Sequence, residues 1–182
     1  MKIGRLLLRL TVGGFFFGHG TQKLFGWFGG NGLDATADGF EALGLRPGRR
    51  NAIAAGVAEA GGGALLAAGL ATPVAASVLT ATMLTAIDSV HGKNGPWLSK
   101  GGYEYNVVLI AAALALVEVG PGGMSLDAAR GSERSGSTWA LAALAAGALG
   151  ALGVRLASAR EPLPPETSTE DADAAGQTNH GA

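Results

Sequence analysis

The sequence predicts an all-α protein, a polytopic helical bundle in the membrane with a four-helix core and a fifth helix near the C-terminus. Three observations carry this. Nearly half of the 182 residues are apolar and only 15% are charged, a balance typical of polytopic membrane proteins rather than of one soluble domain. Asn51 to Leu70, NAIAAGVAEAGGGALLAAGL, is a run of about 20 residues with a single carboxylate, Glu59. At roughly 1.5 Å rise per residue it matches the roughly 30 Å hydrocarbon layer. Within that run Gly61, Gly62 and Gly63 would each cost about 1 kcal/mol relative to alanine in a helix in water. In lipid the backbone has no better alternative than helix, and small residues let neighbouring helices come close.

The first span is expected from about Arg5 to Leu24. Basic residues followed by an apolar run also describe a signal peptide, but Arg9 interrupts the apolar part and no small-x-small site follows Phe17, which favours a retained span. Its far end carries His19, Gln22 and Lys23, then Phe25, Trp27 and Phe28, rings suited to a membrane interface. Gly29 to Arg50 is polar and glycine-punctuated, with one amphipathic piece from Thr36 to Leu43 that reads as an interfacial or re-entrant cap, or equally as an ordered loop.

After the second span, Ala71-Thr72-Pro73 makes a very short connection, with Pro73 suited to the first turn of the next helix. The third span runs from about Val74 to Val90. It ends in IDSVHGKNGPW, where the spacing puts Asp88 and His91 on one helical face before Gly92, Asn94, Gly95 and Pro96 break the helix. A fourth span follows over Tyr105 to Val119, with Tyr103 and Tyr105 at the interface and Glu104 near the positive end of the helix dipole. Residues 131–137 form a polar linker, and 138–157 is an Ala/Leu/Gly segment, uncharged up to Arg155 and long enough to span. From Ser158 onward the chain is rich in Pro, Glu, Ser, Thr and Asp, with the composition of a disordered acidic tail.

Spans joined by short connections alternate in direction. His19, Gln22, Lys23, Glu59, Asp88, His91, Asn94, Tyr103 and Glu104 therefore all fall toward one membrane face, and the opposite face is expected to hold almost nothing polar. Ionisable groups in spans are costly and usually face a bundle interior or a wet cavity. These nine residues are the candidate ligand pocket, with Glu59 and His91 the candidates for chemistry. Each has a plainer reading: Glu59 as a structural partner of Lys23, Asp88 and His91 as helix terminators, and Lys23 with the aromatic cluster as interfacial anchors.

Cysteine is absent, so a redox role needs a cofactor, a quinone or a partner rather than a thiol of this chain. His19 and His91 share a face, but two histidines without a third ligand at a telling spacing make no metal site, and no metal is expected. No basic cluster is interleaved with aromatics, so nucleic acid is not an expected partner. The basic residues do not fix orientation: Lys2, Arg5 and Arg9 pull toward one arrangement and Arg46, Arg49 and Arg50 toward the other. The Ala/Gly helix faces suit internal packing and formation of a homo-oligomer equally.

Taken in order, HGTQKLFGWFGG (His19 to Gly30), GVAEAGGG around Glu59, VHGKNGPW (Val90 to Trp97), GGYEYN (Gly101 to Asn106) and GPGGMSLD (Gly120 to Asp127) resemble the DoxX family of small four-helix membrane proteins. The resemblance covers about Lys2 to Arg130 and leaves the fifth segment and acidic tail as an extension. It implies a cell-membrane protein associated with quinol oxidation, with quinone-linked oxidoreductase complexes, or with thiol and oxidative-stress assemblies. In that setting quinone is the expected ligand, a redox protein the expected partner, and the pocket residues a proton-exchanging site. The alternative is a non-catalytic membrane adaptor or small-molecule carrier.

Overall fold

The computed structural model describes residues 3–161. The helices are α1 (Ile3–Phe25), α2 (Gly32–Ala42), α3 (Gly48–Ala68), α4 (Thr72–Ala86), α5 (Glu104–Val119), the single turn α6 (Leu126–Ala129) and α7 (Ser137–Ala159); no strand occurs among the described residues. A π-turn, Ile87–His91, extends α4. Among the described residues, three helical stretches are long and apolar enough to cross a membrane: α3, the continuous run Thr72–Asn94, and α7. The protein is an all-α membrane bundle. The disorder expected from Ser158 onward needs one correction: Ser158 and Ala159 still belong to α7, whose C-terminal end packs on α3. Residues 162–182 lie outside the described residues.

Helices α1 and α3 run antiparallel with their backbones in direct contact. A Cβ added to Gly13 would lie 2.6 Å from the Gly63 carbonyl oxygen and the Ala67 nitrogen, and one added to Gly20 would collide with Gly56 and Ala60. Gly13 and Gly20, like Gly56 and Gly63, are one heptad apart, which keeps glycine on the seam over two turns of each helix. Val12 and Phe16 of α1, Leu66 of α3, Ala75 and Leu79 of α4 and Leu116 of α5 form the central core. A second cluster joins Ala76, Ala113 and Val117 to Ala143 of α7, and Gly147 and Gly150 set α7 against Thr80 and Ala81 of α4.

The segment between α1 and α3 contains the helix α2, held on the N-terminus of α3. The Gly48 amide donates to Glu41, Arg49 pairs with Asp34 at 2.5 Å, and a Cβ on Gly48 would meet the Ala37 carbonyl. Glu41 thereby satisfies one of the free amides that open a helix.

At the opposite end the expectation of an almost apolar face is overturned. Arg9 is buried, and its guanidinium donates to the carbonyls of Ala67 (2.9 Å), Pro121 (2.7 Å) and Met124 (2.6 Å), while Arg5 donates to Val119 at 2.6 Å. Asp127, also buried, accepts from the amides of Ala71 (2.9 Å) and Thr72 (3.1 Å) and from the Thr72 hydroxyl (3.0 Å). The tight α3–α4 connection explains the Asp127 contacts and the Ala67 contact of Arg9; the other carbonyls belong to the end of α5 and the loop after it. Gly69 closes α3 in a left-handed conformation with Leu70 N–H donating to the Leu65 carbonyl, and Ala71 is left-handed too, leaving carbonyls and amides without helical partners. Arg9 serves the Ala67 carbonyl and Asp127 the amides of Ala71 and Thr72. Burial pushes the Asp127 carboxyl up, but the hydrogen bonds from Thr72, Ala71 and Ser132 outweigh it and hold the group below its ordinary value.

Candidate functional site

The site is assembled where α1 and α3 diverge from their glycine seam. With Gly13 opposite Gly63 and Gly20 opposite Gly56, Lys23 and Glu59 lie about 9 Å apart along the pair. Helical side chains lean toward their own N-terminus. In antiparallel helices Lys23 therefore leans inward along α1 while Glu59 leans to meet it. The ammonium and carboxylate close to 2.5 Å, with the Lys23 side chain 24% exposed and that of Glu59 7%.

This pair lies on the wall of a cavity of about 530 Å³ enclosed by α1, α3, α4, α5 and α7 and covered by α2. Its lining is mostly apolar, and its polar groups include His19, Lys23, Glu59 and His91. A smaller chamber of about 440 Å³ lies beside it under α2, lined by Gln22, Asn31 and Thr36; His19, Lys23, Phe40 and Leu43 face both spaces.

Both histidines are oriented through Nδ1. His91 Nδ1 lies 2.8 Å from the Gly101 carbonyl, which can only accept, so Nδ1 carries the proton. Gln22 donates through Nε2 to the Phe28 carbonyl at 3.3 Å, which turns its Oε1 toward His19 Nδ1 at 3.0 Å. In each ring Nε2 has no hydrogen-bond partner among the described residues. Two fixed imidazoles thus border the cavity, each with one nitrogen unused by the fold.

The other candidates are elsewhere. Asp88 does not share a face with His91 as the spacing implied: the π-turn takes more residues to close than an α-turn, so positions three apart separate around the axis. Asp88 instead pairs with Arg155 of α7 at 2.9 Å on the exposed surface. Asn94 donates to the Gly101 carbonyl at 3.1 Å and Glu104 accepts from the Leu98 amide at 2.8 Å; both organise the loop that carries the His91 anchor. Tyr103 lies in the same loop, its amide bonded to the Gly95 carbonyl at 3.2 Å. Asn51, Asn106 and Met83, which the sequence did not single out, line the cavity, as does Tyr105, which the sequence placed at the interface. Asn106 donates toward the Met83 sulfur at 3.4 Å. Its position one residue inside the start of the fourth predicted span was the signal available.

The DoxX family profile matches residues 4–92, which hold α1 to the π-turn and His19, Lys23, Glu59 and His91 of the cavity wall. The Bacillus subtilis (strain 168) protein named "Putative oxidoreductase CatD" is 34% identical over 115 residues, 63% of this chain and 79% of that protein. This chain belongs to the DoxX family. No solved structure matches it significantly. The helix α7 and the loop that anchors His91 lie beyond the profile match, so this DoxX protein completes its cavity with elements outside the matched segment.

Proposed function

We propose that this DoxX protein is a multi-pass subunit of the cell membrane, with α1, α3, α4, α5 and α7 crossing the bilayer, and that it takes part in quinone-linked redox chemistry. The observation that carries the proposal is the pairing of an apolar cavity with a few convergent proton-exchanging groups. Its volume of about 530 Å³ lies within the usual range for small-molecule sites. The donor set suits a quinone: aromatic and aliphatic walls from Phe15, Phe16 and Leu109 for the ring, and imidazole and ammonium groups for its two oxygens.

A bound quinone supplies two-electron, two-proton chemistry. The residues of this chain bind, orient and move protons. His19 and His91 offer Nε2 as acceptors toward a ring hydroxyl, and their Nδ1 anchors keep the planes fixed. Lys23 can donate to a ring oxygen while Glu59 holds its ammonium directed inward. The electron partner is a redox protein or a soluble donor at the same membrane face. The oxidoreductase name of the Bacillus subtilis relative supports the same direction.

The experiment is extraction of the detergent-purified protein for bound quinone. Recovery of near-stoichiometric quinone from the wild type and its loss from Glu59→Gln are expected. No quinone, together with no redox-active partner after cross-linking, would replace this reading by a membrane adaptor or small-molecule carrier.

A further inference from the structure

The cavity does not end at the groups described above. Its lining continues sideways to Ala54, Ala55 and Ala58 of α3, with Val78 and Ala81 of α4 as a floor, and to Gly150 and Val154 of α7. The two walls of this extension are unequally fastened. Along α4, α7 is packed at backbone distance through Gly147 and Gly150. Toward α3, its polar contacts are at the extreme end: Asn51 to Ser158 at 3.5 Å and Arg50 to Glu161 at 3.2 Å. Between that end and the core, small side chains face one another across a slot. Both helices also carry exposed apolar side chains, Ile53 and Val57 on α3 and Leu149 and Leu152 on α7, surfaces suited to hydrocarbon in a bilayer.

We propose that the α3–α7 slot holds the hydrocarbon tail of a membrane-dissolved ligand whose ring occupies the cavity at Lys23, Glu59 and the two histidines. This rests on the quinone reading for the ring but makes its own claim about α7. A six-membered ring fills only part of about 530 Å³. An isoprenoid or alkyl tail would be continuous with the lipid outside, and small wall residues leave room for a chain that larger ones would fill. The helix outside the family-matched segment then decides which tails this protein accepts.

The test uses the full chain in phosphatidylcholine vesicles, with a decyl-tailed benzoquinone and its tail-less parent ring as probes. Ala54→Phe and Val154→Phe narrow the slot from opposite walls. In both variants the dissociation constant of the decyl compound is expected to rise roughly tenfold or more, with the tail-less ring little changed. Equal weakening of both probes, or unchanged decyl binding, would overturn the assignment. If neither probe binds the wild type, the quinone reading fails and the slot is tested without it. The chain has no cysteine, so Ala58→Cys provides a single thiol in the cavity. It is expected to react with bilayer-dissolved N-phenylmaleimide, and added Val154→Phe is expected to slow that reaction roughly tenfold. A thiol that reacts only with a charged maleimide, or a rate that Val154→Phe leaves unchanged, would show that no opening to lipid exists.

Discussion

Replacing Lys23 and Glu59 one at a time and then together separates a pair kept for stability from one kept for chemistry. The Glu59 carboxylate is 7% exposed, and its partner among the described residues is Lys23 at 2.5 Å. Lys23→Met therefore strands a buried charge, and removing one member of such a pair costs roughly 3–5 kcal/mol. Glu59→Leu strands the ammonium, but Lys23 is 24% exposed near the mouth and can turn toward water, so its loss should fall at or below the low end of that range. Lys23→Met with Glu59→Leu removes both charges and leaves apolar volume in an apolar wall. Such replacements are often neutral or stabilising by roughly 1–4 kcal/mol. Unfolding by SDS titration in mixed micelles, followed by far-UV circular dichroism, reads all four proteins. The double variant is expected to be at least as stable as wild type and free of quinone. A double variant as unstable as Lys23→Met, or one that still retains quinone, would refute the assignment of this pair to function.

Other outcomes follow from the same geometry. Asp127→Ala leaves two backbone amides and a hydroxyl without their charged acceptor and should cost roughly 3–5 kcal/mol in the same titration, whereas Asp127→Asn, which keeps an acceptor oxygen, should cost less. Because the folded Asp127 carboxyl titrates below its ordinary 3.8, its stabilisation is fully present above that value and is lost as pH falls through the lower folded value. The gap between wild type and Asp127→Asn should accordingly narrow only below about pH 4. Gly63→Val places side-chain atoms where the Gly13 carbonyl lies 2.5 Å from a Cβ. It should separate α1 from α3 at a cost of roughly 1–3 kcal/mol or more and lower quinone retention by parting Lys23 from Glu59. Asp88→Asn breaks an exposed pair with Arg155 and should change stability by less than about 1 kcal/mol with quinone content unchanged.

The bundle was legible because lipid makes sequence unusually explicit: long runs with few charges must be helices, and Ala71-Thr72-Pro73 marks where one stops and the next begins. Alternation of direction was enough to send His19, Lys23, Glu59 and His91 to one end, and they do line one cavity. Asp88 was misplaced because a π-turn leaves no signature that a three-residue spacing can reveal. The Arg9–Asp127 end was missed for a different reason. Arg9 looked like an interruption of a span, and Asp127 was given no role, until tertiary structure brought Arg9 to the carbonyls of Ala67, Pro121 and Met124 and Asp127 to the amides of Ala71 and Thr72. The role of α7 was hidden as well, since an Ala/Leu/Gly helix carries the same pattern whether it walls a cavity or only crosses the lipid.

The most direct measurement is photolabelling of the vesicle-reconstituted wild type with an azidoquinone, followed by peptide mapping. Adducts are expected on the cavity faces of α3 and α4, within residues 51–59 and 82–91, competed by unlabelled quinone and absent in Glu59→Gln. Adducts confined to the exposed ring cluster Phe25, Trp27 and Phe28, or labelling that Glu59→Gln leaves intact, would contradict a ring held beside the buried carboxylate.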